Sequence, residues 1–155
     1  ITLLNLEKEV SEYSNVKTLK GNILDLKIFK KNSFDIVFSN SVIEHLSNLE
    51  NQRKMAFEVL RIGKKHIIQT PNKKFFIEPH YLLPFFQFIP KKLQFTILTK
   101  TKLSRLKTWD KKFANQYLDE IRLMTKKELN EIFPNSSIYF ENFLGMTKSF
   151  TVHNF

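Results

Sequence analysis

A chain of 155 residues with 42% hydrophobic side chains is long enough for one domain and one sizeable core. The absence of cysteine excludes disulfides, thiolate metal sites and cysteine nucleophiles and is compatible with a cytoplasmic protein, and no apolar run reaches the roughly 18 residues of a membrane span. A net charge of +10 would suit nucleic acid or an anionic membrane, but it is mostly Lys in a chain rich in Asn, Ile and Phe, a pattern of compositional bias over a solvated surface.

Leu3 to Leu6 reads as a strand, and Val16 to Leu19 as a second after a short polar connection. The opening Ile1-Thr2-Leu3-Leu4-Asn5-Leu6 carries neither an initiator Met nor the basic region of a secretory signal, and reads as a strand cut from something longer. Phe34 to Ser39 is a near-continuous apolar run between Asn-Ser turns, which predicts a strand buried on both faces. Leu49 to Ile62 predicts a helix, with Met55, Val59 and Ile62 at helical spacing and Gly63 as its stop. His66 to Gln69 is a further short strand closed by Thr70-Pro71-Asn72, so strand, helix and strand compose a βαβ unit.

After Pro71 the pattern changes. Phe75 to Pro90 is dense in aromatics and punctuated by prolines, and Lys91 to Lys112 is basic, helical in parts and interleaved with apolar side chains. Residues 73–118 are expected to form a lid or insertion that caps the sheet beside the active site, within a single domain of residues 1–155. Thr125 with Glu128 three residues on predicts a capped helix to Phe133. Two predicted strands close the chain, Ser137 to Asn142 and Ser149 to His153.

The order of these features resembles the class I S-adenosylmethionine-dependent methyltransferases, in particular their type 11 group. Leu3-Leu4-Asn5-Leu6-Glu7 resembles the strand whose end holds the cofactor ribose, with Asn5 at the position of the usual acid. Gly21-Asn22-Ile23-Leu24-Asp25 resembles the segment that reads the adenine, with Asn22 replacing the acid and Asp25 as fallback. Phe34 to Val37 followed by Asn40, Glu44 and His45 resembles the family's post-strand motif, and Gln69-Thr70-Pro71-Asn72 a later one. The resemblance implies a Rossmann-like α/β fold: a mostly parallel sheet, incomplete at its N-terminal side, helices on both faces, a helical aromatic and basic insertion, and two late antiparallel strands. It implies S-adenosylmethionine as cofactor and a small or lipid-linked methyl acceptor. With only Gly21, Gly63 and Gly145, the chain contains no glycine-rich cofactor loop, so impaired activity is expected.

Cofactor contacts are therefore expected from Asn5, Asn22, Ile23, Asn40 and Glu44. Ligands of open α/β sheets lie beyond the carboxyl ends of the strands, where these residues stand. His45 and His80 are the candidate general bases, needed only for a poorly acidic hydroxyl or an amine acceptor. Each has a plainer alternative: His45 as a helix-start residue bonded to backbone, His80 as a loop residue satisfied by its own segment. Glu44 could instead favour a helix N-terminus, and Glu78, a lid acid, is expected to face water. The aromatics between Phe75 and Phe88 could line an apolar pocket or pack as core. No metal site is expected, because the four histidines show no ligand spacing. A non-enzymatic alternative remains, in which residues 91–112 bind a membrane surface or nucleic acid.

Overall fold

The computed structural model describes residues 1–155. Strands β1 (Thr2–Asn5) and β2 (Lys17–Lys20) pair in parallel and form a sheet of their own. The predicted βαβ unit follows as β3 (Phe34–Asn40), α1 (Leu49–Ile62) and β4 (Gly63–Pro71), with β3 parallel to β4 and Asn40 opposite Gln69. The insertion carries a small antiparallel pair, β5 (Ile77–Glu78) and β6 (Leu83–Pro84), then helices α2 (Lys91–Lys100) and α3 (Lys111–Glu120). Helix α4 (Lys126–Ile132) leads into β7 (Ser137–Phe143) and β8 (Met146–His153), which join as an antiparallel hairpin. The main sheet has the order β3–β4–β8–β7. The fold is mixed α/β, as the resemblance implied, and the main sheet holds one parallel pairing, β3–β4, and two antiparallel ones, β4–β8 and β8–β7.

Local sequence accounts for the element ends. The Asn48 side chain accepts from the Asn51 N–H at 2.8 Å, capping α1, and Met55, Val59 and Ile62 bury the stripe that periodicity marked. Gly63 passes the chain straight from α1 into β4. A Cβ there would lie 2.7 Å from Val37 Cγ2 and 2.9 Å from the Lys65 carbonyl oxygen, so only hydrogen fits. Thr125 and Glu128 form the expected capping box of α4.

Helices α1 and α4 cover one face of the main sheet. Met55, Val59, Ile68, Met124, Leu129, Phe133, Phe150 and Val152 make the principal core, each contributing roughly 1.5–3 kcal/mol by burial. The insertion holds a second core of Tyr81, Phe86, Leu98, Trp109, Ala114 and Leu118. Of the two readings of its aromatics, core packing describes Tyr81, Phe86 and Trp109, but they pack within the insertion and not onto the sheet. No helix is long and apolar enough to cross a membrane.

One expectation is corrected. β3 is not buried on both faces: it lies at the edge of the main sheet, and Ile36 and Phe38 are 53% and 68% exposed. Its ladder partner is β4 alone, and α1 and α4 pack on the face that carries Val37, so nothing covers the opposite face that carries Ile36 and Phe38. The apolar run is real, but its burial depends on neighbours that periodicity does not report.

Candidate functional site

Because β3 and β4 are parallel, Asn40 and the segment Gln69–Asn72 share one edge of the sheet. There Ser41 takes a left-handed backbone, φ 53°. Its N–H donates to the Gln69 carbonyl at 3.1 Å and its hydroxyl to Gln69 Oε1 at 3.0 Å, which offsets a conformation costing roughly 1–2 kcal/mol. The chain then enters a short 3-10 turn, Ile43–His45, well before α1 begins. Ile43 points into the core, and Glu44 is fully buried beside it. Glu44 Oε2 accepts from Thr70 Oγ1 at 2.9 Å, whereas Oε1 has no hydrogen-bond partner in the protein.

The insertion brings the remaining groups. His80 stands edge-on to His45 with ring centroids 5.1 Å apart, and Tyr117 of α3 lies 6.1–6.2 Å from both. Glu78 does not face water; it is buried, with Oε1 2.7 Å from His80 Nδ1 and Oε2 accepting the Tyr81 N–H at 2.9 Å. The tight β5–β6 pair turns its acid inward, where one carboxylate orients a ring and closes a loop. His45 Nδ1 lies 3.4 Å from Glu120 Oε1, and the His45 N–H donates to the Val42 carbonyl. Burial pushes the Tyr117 hydroxyl up, partly opposed by Arg105, and burial with the nearby Glu78 charge pushes that of Tyr81 far higher. Both phenols stay protonated throughout the physiological range.

Behind the turn sits a clamp. Gln52 of α1 donates from Nε2 to the carbonyls of Ile43 (3.0 Å) and Arg122 (2.8 Å) and accepts from Arg122 Nη1 at 2.6 Å. The Arg122 N–H donates to the Glu44 carbonyl at 2.7 Å, and its guanidinium pairs with Glu128. Burial acting alone would raise the Glu128 carboxyl. Donation from the Thr125 backbone and from Arg122 outweighs it, and the group lies below the ordinary glutamate range.

Glu44, His45 and His80 are thus brought together, and one donor atom from each lies within 4.8 Å of the others. The argument from histidine spacing against a metal set therefore does not hold in space, since residues 45 and 80 meet through two separate elements. Asn5 bonds Glu9 Oε1 (2.6 Å) and accepts from the Leu6 N–H (2.8 Å), and Asn22 accepts from the Leu24 N–H (2.9 Å). Ile23 packs against the principal core, and Asn40 is exposed with a free side chain. No hydrogen bond joins Asn5, Asn22 or Asn40 to Glu44, His45 or His80. Sequence reasoning assigned no role to Thr70, although its motif was visible, and missed Gln52, Tyr117, Glu120 and Arg122, for which no local signal exists.

A family model described as a methyltransferase domain matches residues 4–135, and the chain belongs to that family. A solved structure of a SAM-dependent methyltransferase from Methanosarcina mazei is similar at 14% identity with a TM-score of 0.51, covering 90% of this chain and 66% of that one. A SAM-dependent methyltransferase from Thermotoga maritima is similar at 14% identity with a TM-score of 0.50, covering 89% of this chain and 63% of that one. At these identities the likeness is one of fold, and the chain spans about two thirds of each structure. No curated protein matches the chain.

Proposed function

We propose that the protein transfers a methyl group from S-adenosylmethionine to a small or lipid-linked acceptor, placed against Glu44, His45, His80 and Tyr117. One observation carries the reading: in a chain of the methyltransferase-domain family, two imidazoles and a buried carboxylate converge just beyond the carboxyl end of β3. The residues present fit the polar edge of an adenosine. Asn40 offers a free amide, Asn22 keeps its amide N–H groups unused, and Ile23 offers an apolar surface. Asn5 is committed to Glu9 and Leu6, so it contributes a spare lone pair at most. Glu44, bonded to Thr70 through Oε2, keeps Oε1 for the cofactor or the acceptor. The cofactor when bound supplies a methyl group on a sulfonium. The chain's part is to align the acceptor in line with it and to receive or orient the acceptor's proton at His45 or His80.

We expect weak cofactor affinity, that is a high dissociation constant, from a chain without a glycine-rich turn. Calorimetric titration with S-adenosylhomocysteine tests this. At ten times that constant the product should also raise stability by about 1.4 kcal/mol, and Asn40→Ala should abolish most of the effect. Absence of both heat and thermal protection would overturn the cofactor assignment. Once an acceptor is found, His45→Ala and His80→Ala should lower kcat by roughly 10²- to 10⁴-fold at unchanged product affinity.

The lidded surface supports peripheral membrane contact as a second reading. Leu103 and Leu106 are 65% and 88% exposed amid Lys100, Lys102, Arg105 and Lys107, a pairing suited to an anionic bilayer and a lipid-linked acceptor. Salt-sensitive binding to phosphatidylserine vesicles, lost in a Leu103→Ser/Leu106→Ser variant, is expected. Equal binding to neutral vesicles would refute it, and cytoplasmic residence is proposed on the same footing.

A further inference from the structure

We propose that Glu44, His45 and His80 form a binding site for a divalent transition-metal cation, Mn²⁺, Fe²⁺, Co²⁺ or Zn²⁺. Two imidazoles and one carboxylate are a donor set suited to these ions, whereas Mg²⁺ and Ca²⁺ favour all-oxygen sites. One donor atom from each residue lies within 4.8 Å of the other two. Donors around an ion at roughly 2.0–2.2 Å stand about 3–4 Å apart, so closure needs a movement of roughly 1 Å, within the reach of small side-chain rotations.

A second observation, independent of the clustering, also calls for a cation. Glu44 is fully buried, and its Oε1 has no hydrogen-bond donor in the protein. A buried carboxylate oxygen without a donor is costly, and buried charges are ordinarily paired or bound to metal. The nearby arginines do not fill the role: Arg122 is engaged by Glu128 and Gln52, and Arg105 donates to the His80 carbonyl from the surface. Thr70 occupies Oε2, leaving Oε1 as the oxygen free to ligate.

The outer partners complete the pattern. Metal-binding histidines characteristically donate the ring N–H not used for the metal to a carboxylate, which fixes the tautomer and makes the other nitrogen more basic. His80 has this arrangement through Glu78 at 2.7 Å, whereas His45 Nδ1 only lies near Glu120 Oε1, 3.4 Å away. With its Nδ1–H directed at Glu78, the His80 ring keeps the Nε2 lone pair for an ion. The Glu44 turn and the insertion meet here, so an ion would also tie the two cores together. Three protein donors leave at least one position for water or for an oxygen of the acceptor, and a ring that ligates the ion orients the acceptor and does not receive its proton. Only this last point rests on the methyl-transfer reading.

The test needs neither cofactor nor acceptor. The full chain, freed of metal by chelation, is titrated with Co²⁺ alone and its visible absorption followed, with Mn²⁺ and Zn²⁺ as competitors and melting temperature as a second readout. One equivalent of Co²⁺ should give a d–d band that Zn²⁺ erases, and each ion should raise the melting temperature. Glu44→Gln, which keeps the shape and removes the unpaired charge, should leave the metal-free protein at least as stable while abolishing the band and the thermal shift. Glu78→Gln should weaken Co²⁺ roughly 10- to 100-fold without removing a ligand. His153→Ala, distant in the fold at the end of β8, should bind as the parent does. The proposal is overturned if the parent shows neither band nor shift at millimolar metal. It also falls if binding persists in Glu44→Gln and in His80→Ala, which would place the ion elsewhere. Loss of product binding with metal binding intact would instead remove the methyl-transfer reading alone.

Discussion

Gln52→Leu removes the clamp behind the Glu44 turn while keeping nearly the same volume. Gln52 is fully buried, and three hydrogen bonds disappear: the two donations to Ile43 and Arg122 and the one accepted from the Arg122 guanidinium. Two neutral bonds contribute about 1 kcal/mol each and the charge-assisted one about 1.5–3 kcal/mol. The leucine returns about 1 kcal/mol through apolar burial. The net loss should be about 3 kcal/mol, or roughly 6–12 °C in Tm for a domain of this length. Urea unfolding should show the midpoint falling with the slope unchanged. A double-mutant cycle with Arg122→Met should return a coupling above about 1 kcal/mol, because the two side chains share a bond. A loss below about 1 kcal/mol, or strict additivity with Arg122→Met, would refute the claim that this amide fixes the turn.

Three further outcomes are expected. Gly63→Ala should destabilise the chain by about 1–3 kcal/mol, since the new methyl meets Val37 Cγ2 and the Lys65 carbonyl; unchanged urea stability would show that β3 and α1 can part there. Leu144 and Gly145 both have positive φ (48° and 77°) in the β7–β8 turn, so Leu144→Asn should raise stability by about 0.5 kcal/mol, read as a higher urea midpoint. Burial, with His153 adding to it, lowers the pKa of His66, whose ring lies 2.9 Å from Ser136 Oγ. The native ring stays neutral while the unfolded chain takes up a proton near its ordinary pKa of about 6.5. Stability should therefore be flat above about pH 7 and fall as the pH drops through 6.5 towards the depressed native value. His66→Gln should flatten that segment of the urea-midpoint profile, and an unaltered slope would contradict the assignment.

What could be read from the sequence, and what could not, divides by the range of the forces involved. The α1 stripe, the Thr125 capping box and the late hairpin are set by residues a few positions apart, so pattern alone reveals them. The edge position of β3 depends on which strands pair across the sheet. Phe38 reads as core in the sequence and is exposed in the fold because the helices pack on the other face of the sheet. The site divides in the same way. Glu44 and His45 were visible because one turn carries both, and His80 because few histidines exist to consider. Their approach was expected once residues 73–118 were read as a lid beside the site; what the pattern did not show is the insertion's own core, which presents the β5–β6 turn to the main sheet.

That second core also explains how the cluster is held. Tyr81, Trp109 and Leu118 stabilise the insertion from within, so its docking onto the sheet needs only a few directed contacts. These contacts gather at the site: the Ser47 N–H donates to the Glu120 carbonyl, the Arg122 N–H to the Glu44 carbonyl, and Glu120 approaches the His45 ring. The segment from Glu120 to Arg122 therefore both joins the insertion to the sheet and borders the His45 ring. A substitution in either core alters stability first, whereas one in this joint alters the distance between His45 and His80 first. Glu44 sits where the two effects meet, buried by the sheet's core and left with one oxygen free toward whatever the joint brings to it.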